Sequence, residues 1–199
     1  MNEMFVSAPR RPTTRAADGL PRWRWTVAEV EKLAAAGFFH EDERMELLGG
    51  EIVPMSPEGR RHETLRIELL DRFYRRAPLD LIVAPEAQFN LSDETYTVPD
   101  ILVHPRAIKT YDLRGGDPLL LVEVAETSLE YDLRTKVPLY AAHGVREYWV
   151  INAKTLMVTI HRHPSGNSYA FTEELPADAP LVPSLAPALA VSLGALDLD

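Results

Sequence analysis

Two apolar segments constrain the fold most, because each carries one carboxylate where a buried β-strand is predicted. Residues 98–103 (VPDILV) contain Asp100, and residues 119–125 (LLLVEVA) contain Glu123. Continuous apolar residues at 119–122 indicate a strand that is buried on both faces. A carboxylate in such surroundings costs several kcal/mol unless a metal ion or another cation pairs with it. The two segments therefore predict a charged site inside a sheet.

Lys136 completes this candidate site, because it lies on the next predicted helix, at residues 131–143. Pro138 disfavours a helix interior, so the regular helix is expected to begin near Thr135, with Asp132 as a cap. Mg²⁺ prefers oxygen ligands and keeps several waters, so one or two carboxylates suffice, and the Val124 carbonyl is a third candidate ligand.

The chemistry that these residue types favour is phosphodiester hydrolysis. That reaction needs a metal that activates water and neutralises the charge building on phosphate. Lys136 would orient the attacking water or stabilise that charge. Structural roles remain open for Asp100, as a turn cap after Pro99, and for Lys136, as a surface lysine. Glu46, an acidic residue in the predicted hairpin at residues 45–53, is a further candidate, with a solvated strand residue as the alternative.

The composition excludes several other kinds of site. The chain has 199 residues, as expected for one domain, and it has no cysteine, which rules out disulfides, zinc thiolates and cysteine nucleophiles. A net charge of −9 argues against a broad nucleic-acid-binding surface but not against a local basic groove.

Residues 1–20 lack the apolar core of a signal peptide, so a cytoplasmic protein is expected. The apolar residues 181–196 are interrupted by Pro183 and Pro187, and we expect them to pack on the domain rather than cross a membrane.

Local patterns predict a mixed α/β (α+β) domain around one central sheet flanked by helices. We expect a disordered arm at residues 1–21 and a folded domain at 22–199. Thr26 and Glu29 form a capping box that opens a helix ending near Gly37, and Gly49-Gly50 predicts a hairpin turn. A second helix is predicted at 61–76, with Ile67, Leu69, Leu70 and Phe73 on its buried face. Strands are predicted at 79–91, 97–103, 119–125, 146–152, 156–163 and 168–172.

Arginines of the second helix are candidates for substrate binding. Arg61, Arg72 and Arg76 lie on its polar face, where they would line a path for phosphate groups. Glu68 and Asp71 lie among them, so a solvated face of salt bridges is the alternative.

Five ordered motifs resemble the Uma2 family of endonucleases, within the PD-(D/E)XK nuclease superfamily. They are the stretch 46–51 (ELLGGE), Met55-Ser56-Pro57 followed by His62, the Pro-Asp and Val-Glu-Val segments above, and the run from Lys136 through 144–149 (GVREYW). The resemblance covers roughly residues 25–195.

This resemblance implies a restriction-endonuclease-like core and an active site of Glu46, Asp100, Glu123 and Lys136. It implies Mg²⁺ or Mn²⁺ as cofactor and nucleic acid, most readily DNA, as substrate. Glu46 would help to hold the metal through water, and His62 is a candidate accessory residue. In the common superfamily pattern a lysine follows the glutamate by two residues; here that position is Ala125, so its role passes to Lys136. Gly49 also replaces an aspartate that is usual in the family's hairpin.

Two functions remain open at the level of sequence. One is a Mg²⁺-dependent endodeoxyribonuclease, which as a homodimer would cut both strands. The other is a non-catalytic module that keeps the nuclease scaffold and binds nucleic acid or protein. The acidic net charge and the absence of a recognisable target-reading domain motivate the second.

Overall fold

Ten strands form two sheets in the computed structural model of the protein, which describes residues 23–40 and 42–198. The arm predicted at residues 1–21 lies outside the described residues. The strands are β1 (Met45–Leu48), β2 (Glu51–Pro54), β3 (Leu81–Pro85), β4 (Phe89–Ser92), β5 (Thr95–Thr97), β6 (Ile101–Pro105), β7 (Leu120–Ala125), β8 (Glu147–Asn152), β9 (Val158–Ser165) and β10 (Ser168–Leu175).

The larger sheet has six strands in the order β10-β9-β8-β7-β6-β3. Its neighbours are antiparallel except β7 and β8, which are parallel and joined by a helical crossover. That crossover consists of α3 (Leu129–Tyr131), a π-helical turn (Asp132–Lys136) and α4 (Val137–Ala142). A four-stranded antiparallel sheet in the order β2-β1-β5-β4 packs beside it. The predicted mixed α/β domain with a central sheet flanked by helices is confirmed.

The second sheet was not predicted, because two predicted strands are each divided in the structure. Residues 79–91 form β3 and β4, which belong to different sheets, and residues 97–103 end β5 and begin β6. Glu86 adopts φ 48°, which ends the extended conformation after β3. The segment 98–100, with Pro99 at its centre, separates β5 from β6 and places Asp100 directly before β6.

Strand β7 is buried on both faces, as its sequence indicates. Leu120, Val122 and Val124 belong to the core cluster under the second helix, whereas Leu121 and Ala125 belong to the cluster under α4. Because side chains alternate along a strand, Glu123 shares the α4 side of the sheet with Leu121 and Ala125.

Helices α1 (Val27–Ala35) and α2 (Arg60–Arg76) begin and end close to the predicted positions. The predicted capping box is present, since Thr26 accepts from the Glu29 backbone and the Glu29 side chain accepts in return. The predicted buried face of α2 is partly wrong, because Ile67 is 52% exposed. Its buried side chains are those of His62, Leu65, Leu69 and Phe73.

The C-terminal segment packs on the same cluster as α2. Leu181 and Val191 exchange backbone hydrogen bonds, and Leu189 and Leu193 are buried in the core. Among the described residues, no helix is long and apolar enough to span a bilayer.

Candidate active site

A cavity of about 290 Å³ opens where β1, β6, β7 and the helical crossover meet. Its polar lining includes Glu46, His62, Asp100, Glu123, Asp132 and Lys136. All six side chains are buried in the protein. The catalytic candidates predicted from the sequence therefore meet in one cavity, together with His62.

Each charged side chain reaches the cavity from a different element. Glu46 comes from β1, and Glu123 from the centre of β7. Asp100 precedes β6, which pairs with β7 in an antiparallel register that joins Ile101 to Val122. Lys136 ends the π-helical turn. The site is thus fixed by regular elements on several sides, which limits the motion of its side chains.

Lys136 is the centre of the ion pairs in the cavity. Its Nζ lies 2.8 Å from Glu123 Oε1, 3.0 Å from Glu46 Oε1 and 3.6 Å from Asp132 Oδ1. The ammonium group also lies 5.4 Å from the centre of the Tyr131 ring. One lysine therefore serves three buried carboxylates.

Hydrogen bonds hold the carboxylates that flank this lysine. Glu46 Oε1 accepts from the Val98 N–H at 3.0 Å, and Glu46 Oε2 accepts from the Tyr131 hydroxyl at 2.8 Å. Glu123 Oε1 accepts from the Tyr140 hydroxyl at 3.3 Å. These donors fix the orientation of the Glu46 and Glu123 carboxylates.

Asp100 links β7 to the beginning of α2. Its Oδ2 accepts from the Val124 N–H at 2.6 Å, and its Oδ1 lies 2.9 Å from His62 Nε2. The backbone N–H of His62 donates to Glu126 Oε2 at 3.3 Å, which satisfies one free donor at the helix N-terminus.

The electrostatics of the cavity favour additional positive charge. Burial raises the pKa of Glu123 well above its ordinary value; Lys136 opposes this shift and the neighbouring carboxylates add to it. Burial likewise raises the pKa of Asp132, against the effects of Lys136 and Ser128. Burial alone would lower the pKa of Lys136, but Glu123 and the other acids raise it well above the usual value. Glu123 and Asp132 therefore hold their protons more strongly than exposed carboxyl groups do, and a divalent cation would relieve the same repulsion.

The donor set fits a hard divalent cation. Asp100, directly before β6, and Glu123, in the neighbouring strand β7, offer carboxylate oxygens, and Val124 lines the same cavity. Mg²⁺ and Mn²⁺ prefer such oxygen ligands.

The predicted substrate-binding arginines do not line this cavity. Arg72 donates to the carbonyl of Ala195 at 3.0 Å, and Arg76 donates to the carbonyl of Ala190. Both therefore hold the C-terminal segment against α2. Arg61 is exposed on α2 and is not among the cavity's lining residues.

Two residues of the site were missed or misread in the sequence. The Asp132 side chain was expected to cap a helix, but its carboxylate faces Lys136 and accepts from the Ser128 hydroxyl at 2.6 Å. Tyr131 was not singled out, although its hydroxyl binds Glu46. The spacing of Asp132 and Lys136, four residues apart on a helix, was the signal that both face one side.

The fold is shared with a nuclease-like protein of known structure. The chain superposes on a crystal structure described as "a putative nuclease belonging to DUF820" from Anabaena variabilis, with a TM-score of 0.68 and 22% sequence identity. The match covers 85% of this chain and 95% of that one. At this identity the match defines the class of fold.

The family follows from the sequence itself. The family model of Uma2, described as "Putative restriction endonuclease", matches residues 27–195. The chain belongs to the Uma2 family, and the resemblance found in its motifs is confirmed. No curated protein matches the sequence significantly.

Proposed function

We propose that the protein is a metal-dependent endonuclease that hydrolyses phosphodiester bonds, with DNA as its substrate. The observation that carries this proposal is the buried pair of Asp100, directly before β6, and Glu123, in the neighbouring strand β7, with Lys136 Nζ 2.8 Å from Glu123 Oε1. An acidic cavity of this kind is costly in a folded protein, and it matches the needs of metal-assisted hydrolysis. Membership of the Uma2 family supports the nuclease class.

Asp100, Glu123 and the carbonyl of Val124 would hold Mg²⁺ or Mn²⁺. When bound, such a cation supplies an activated water and neutralises charge on the phosphate. Glu46 is fixed by hydrogen bonds from Val98 and Tyr131, so it would help to hold the metal through water.

Lys136 acts as a cation rather than as a general base. The surrounding acids raise its pKa well above the usual value, so the amine stays protonated at neutral pH. A protonated amine stabilises negative charge that develops on phosphate or on the leaving oxygen. The Tyr140 hydroxyl donates to Glu123 Oε1 and so fixes the carboxylate that pairs with the Lys136 ammonium group.

Cleavage of a substrate panel by the purified full-length protein tests this function. Plasmid DNA, single-stranded DNA and RNA are each incubated with Mg²⁺, Mn²⁺ or EDTA, alongside Asp100→Asn. We expect internal cuts in DNA that require the metal and disappear in the variant. Cleavage that persists in EDTA or in Asp100→Asn would contradict the proposal. Tight binding of DNA without turnover would instead favour the non-catalytic module. The homodimer and the cytoplasmic location stay predictions.

A further inference from the structure

Asp132 is a buried carboxylate of the cavity to which the proposed function gives no role. The residue is 2% exposed and lines the cavity with Lys136, which follows it by four residues in the π-helical turn. Its Oδ1 lies 3.6 Å from Lys136 Nζ. That distance exceeds a charge-assisted hydrogen bond of about 2.8 Å, so the two groups face each other without making one. A buried carboxylate is costly in a folded protein, so its presence here needs an explanation.

Two hydrogen bonds from other residues hold Asp132 in place. The Ser128 hydroxyl donates to Asp132 Oδ2 at 2.6 Å, and the Tyr148 hydroxyl donates to the Asp132 carbonyl oxygen at 3.4 Å. Tyr148 is fully buried in β8, so it ties the turn to the larger sheet. The other carboxylate oxygen, Oδ1, is thereby kept directed at Lys136. Turns of π-helix often occur at functional sites.

A metal on Glu123 would compete with Lys136 for the same carboxylate. Glu123 Oε1 lies 2.8 Å from Lys136 Nζ, and a metal cation and an ammonium group on one carboxylate repel each other. Glu46 is the other close partner, with its Oε1 at 3.0 Å from Nζ. Both Glu46 oxygens already accept another hydrogen bond, from the Val98 N–H and the Tyr131 hydroxyl. The ammonium group therefore needs a further acceptor once the metal is bound.

We propose that Asp132 is a positioning residue, which takes over the Lys136 ammonium group when the metal engages Glu123. Because Oδ1 is already 3.6 Å away, a small movement of the flexible lysine side chain completes the contact. The ammonium group then stays in the cavity, where it stabilises charge on the phosphate. The inference rests on the proposed function, because it requires Glu123 to bind the metal. In this role Asp132 touches neither the metal nor the substrate.

A double-mutant cycle of urea unfolding, in EDTA and in saturating Mn²⁺, tests this transfer on the full-length protein. The cycle uses the wild type, Asp132→Asn, Lys136→Met and the double variant, and it isolates the interaction between the two side chains. We express the coupling as a ratio of unfolding equilibrium constants. It should be about tenfold larger in Mn²⁺ than in EDTA, because a charge-assisted hydrogen bond replaces a longer contact. A merely structural role of Asp132 predicts the same coupling in both buffers.

DNA cleavage under single-turnover conditions gives a second measurement, which needs only Asp132→Asn and so does not depend on the folding of Lys136→Met. We expect the rate to fall about 10- to 100-fold, because a displaced ammonium group loses its alignment with the phosphate. DNA affinity, measured in EDTA, should stay within about threefold of the wild type, since the ion pair acts on the transition state. Glu130→Gln is the matched control, because Glu130 pairs with Arg134 at the same spacing in the same crossover but is exposed. Its rate should equal that of the wild type.

The outcomes separate this inference from the proposed function. Equal coupling in the two buffers, or equal rates for Asp132→Asn and its control, would overturn the role of Asp132. If the wild type still cleaves DNA with Mn²⁺, either result leaves the nuclease proposal intact. Coupling that rises in Mn²⁺, in a wild type that cuts no DNA, would support the transfer and contradict the nuclease. Mn²⁺ that stabilises no variant would overturn both.

Discussion

Replacing Lys136 by methionine tests the charge balance of the cavity. Its Nζ lies 2.8 Å from Glu123 Oε1 and 3.0 Å from Glu46 Oε1, and its side chain is 4% exposed. Removing one partner of a buried ion pair costs about 3–5 kcal/mol, because the other charge is left uncompensated. For a domain of this size 1 kcal/mol shifts Tm by about 2–4 °C, so Lys136→Met should lower Tm by about 6–20 °C.

The loss of stability in Lys136→Met should depend on pH, because protonation of the buried carboxylates can replace the missing positive charge. Burial raises the pKa of Glu123 and of Asp132 in the folded protein, and Lys136 opposes both shifts. A group with a raised pKa in the folded state contributes stability that is present at low pH and lost as pH rises through that pKa. Without Lys136 the pKa values rise further, so the variant should be relatively more stable at low pH.

Differential scanning calorimetry in EDTA, at about pH 5 and about pH 8, measures both effects. Lys154→Met is the matched control, because Lys154 is exposed. We expect a larger fall in Tm at the higher pH for Lys136→Met and little change for the control. A fall of less than about 2 °C at the higher pH, or an equal fall at both, would refute the charge-balance argument.

Three further predictions concern a loop, a core histidine and the protons of the site. Gly115→Ala should destabilise the protein by about 1–3 kcal/mol in urea denaturation, because a Cβ there would lie 1.8 Å from the His143 carbonyl oxygen. Gly116→Ala, where the nearest atom is 3.8 Å away, is its control. Burial lowers the pKa of His161 from the ordinary histidine value of 6.5 to about 4. The wild type should therefore lose stability as pH falls from 6.5 toward about 4. His161→Phe should reduce this loss in urea titrations across that range. Mn²⁺ affinity, measured by calorimetric titration, should rise with pH, because burial raises the pKa of Glu123 and the metal must displace its proton.

Each of these has a result that would contradict it. Equal stability of the two glycine variants would mean that the loop moves away from α4 at little cost. An unchanged pH dependence in His161→Phe would assign the acid sensitivity to the carboxylates instead. Mn²⁺ affinity that does not vary with pH would show that no protonated carboxylate lies at the metal position.

The acidic residues of the site could be predicted because they are charged residues within apolar segments. Asp100 and Glu123 interrupt apolar strand segments, and a conflict between residue type and burial is typical of functional positions. Lys136 needed the family resemblance in addition, since an isolated lysine on a helix usually faces solvent. The structure brings all three into contact with one cavity.

The helical crossover could not be predicted in detail, because Pro138 is compatible with two helix arrangements. A helix that begins near Thr135 avoids the proline, and it leaves Asp132 as a cap. The structure instead begins the helix at Leu129 and inserts a π-helical turn before α4, so that Pro138 falls in the first turn of α4. This arrangement turns Asp132 and Lys136 together into the cavity.

Contacts between distant parts of the chain hold two of the arginines that were predicted to bind substrate. Arg72 and Arg76 bind carbonyl oxygens more than a hundred residues away, at Ala195 and Ala190. Nothing in the local pattern of α2 distinguishes an arginine that faces solvent from one that holds a returning segment. The division of residues 79–91 between two sheets depends in the same way on backbone geometry at Glu86.

The rate of DNA cleavage by Glu123→Gln under single-turnover conditions tests the central claim most directly. Glutamine keeps the shape of the side chain and removes the charge that would hold the cation. We expect the rate to fall at least about 100-fold, because metal stabilisation of the transition state contributes several kcal/mol. Glu173→Gln, at an exposed position of β10, should retain the wild-type rate. Equal rates for the two variants would contradict the assignment of this cavity as the active site.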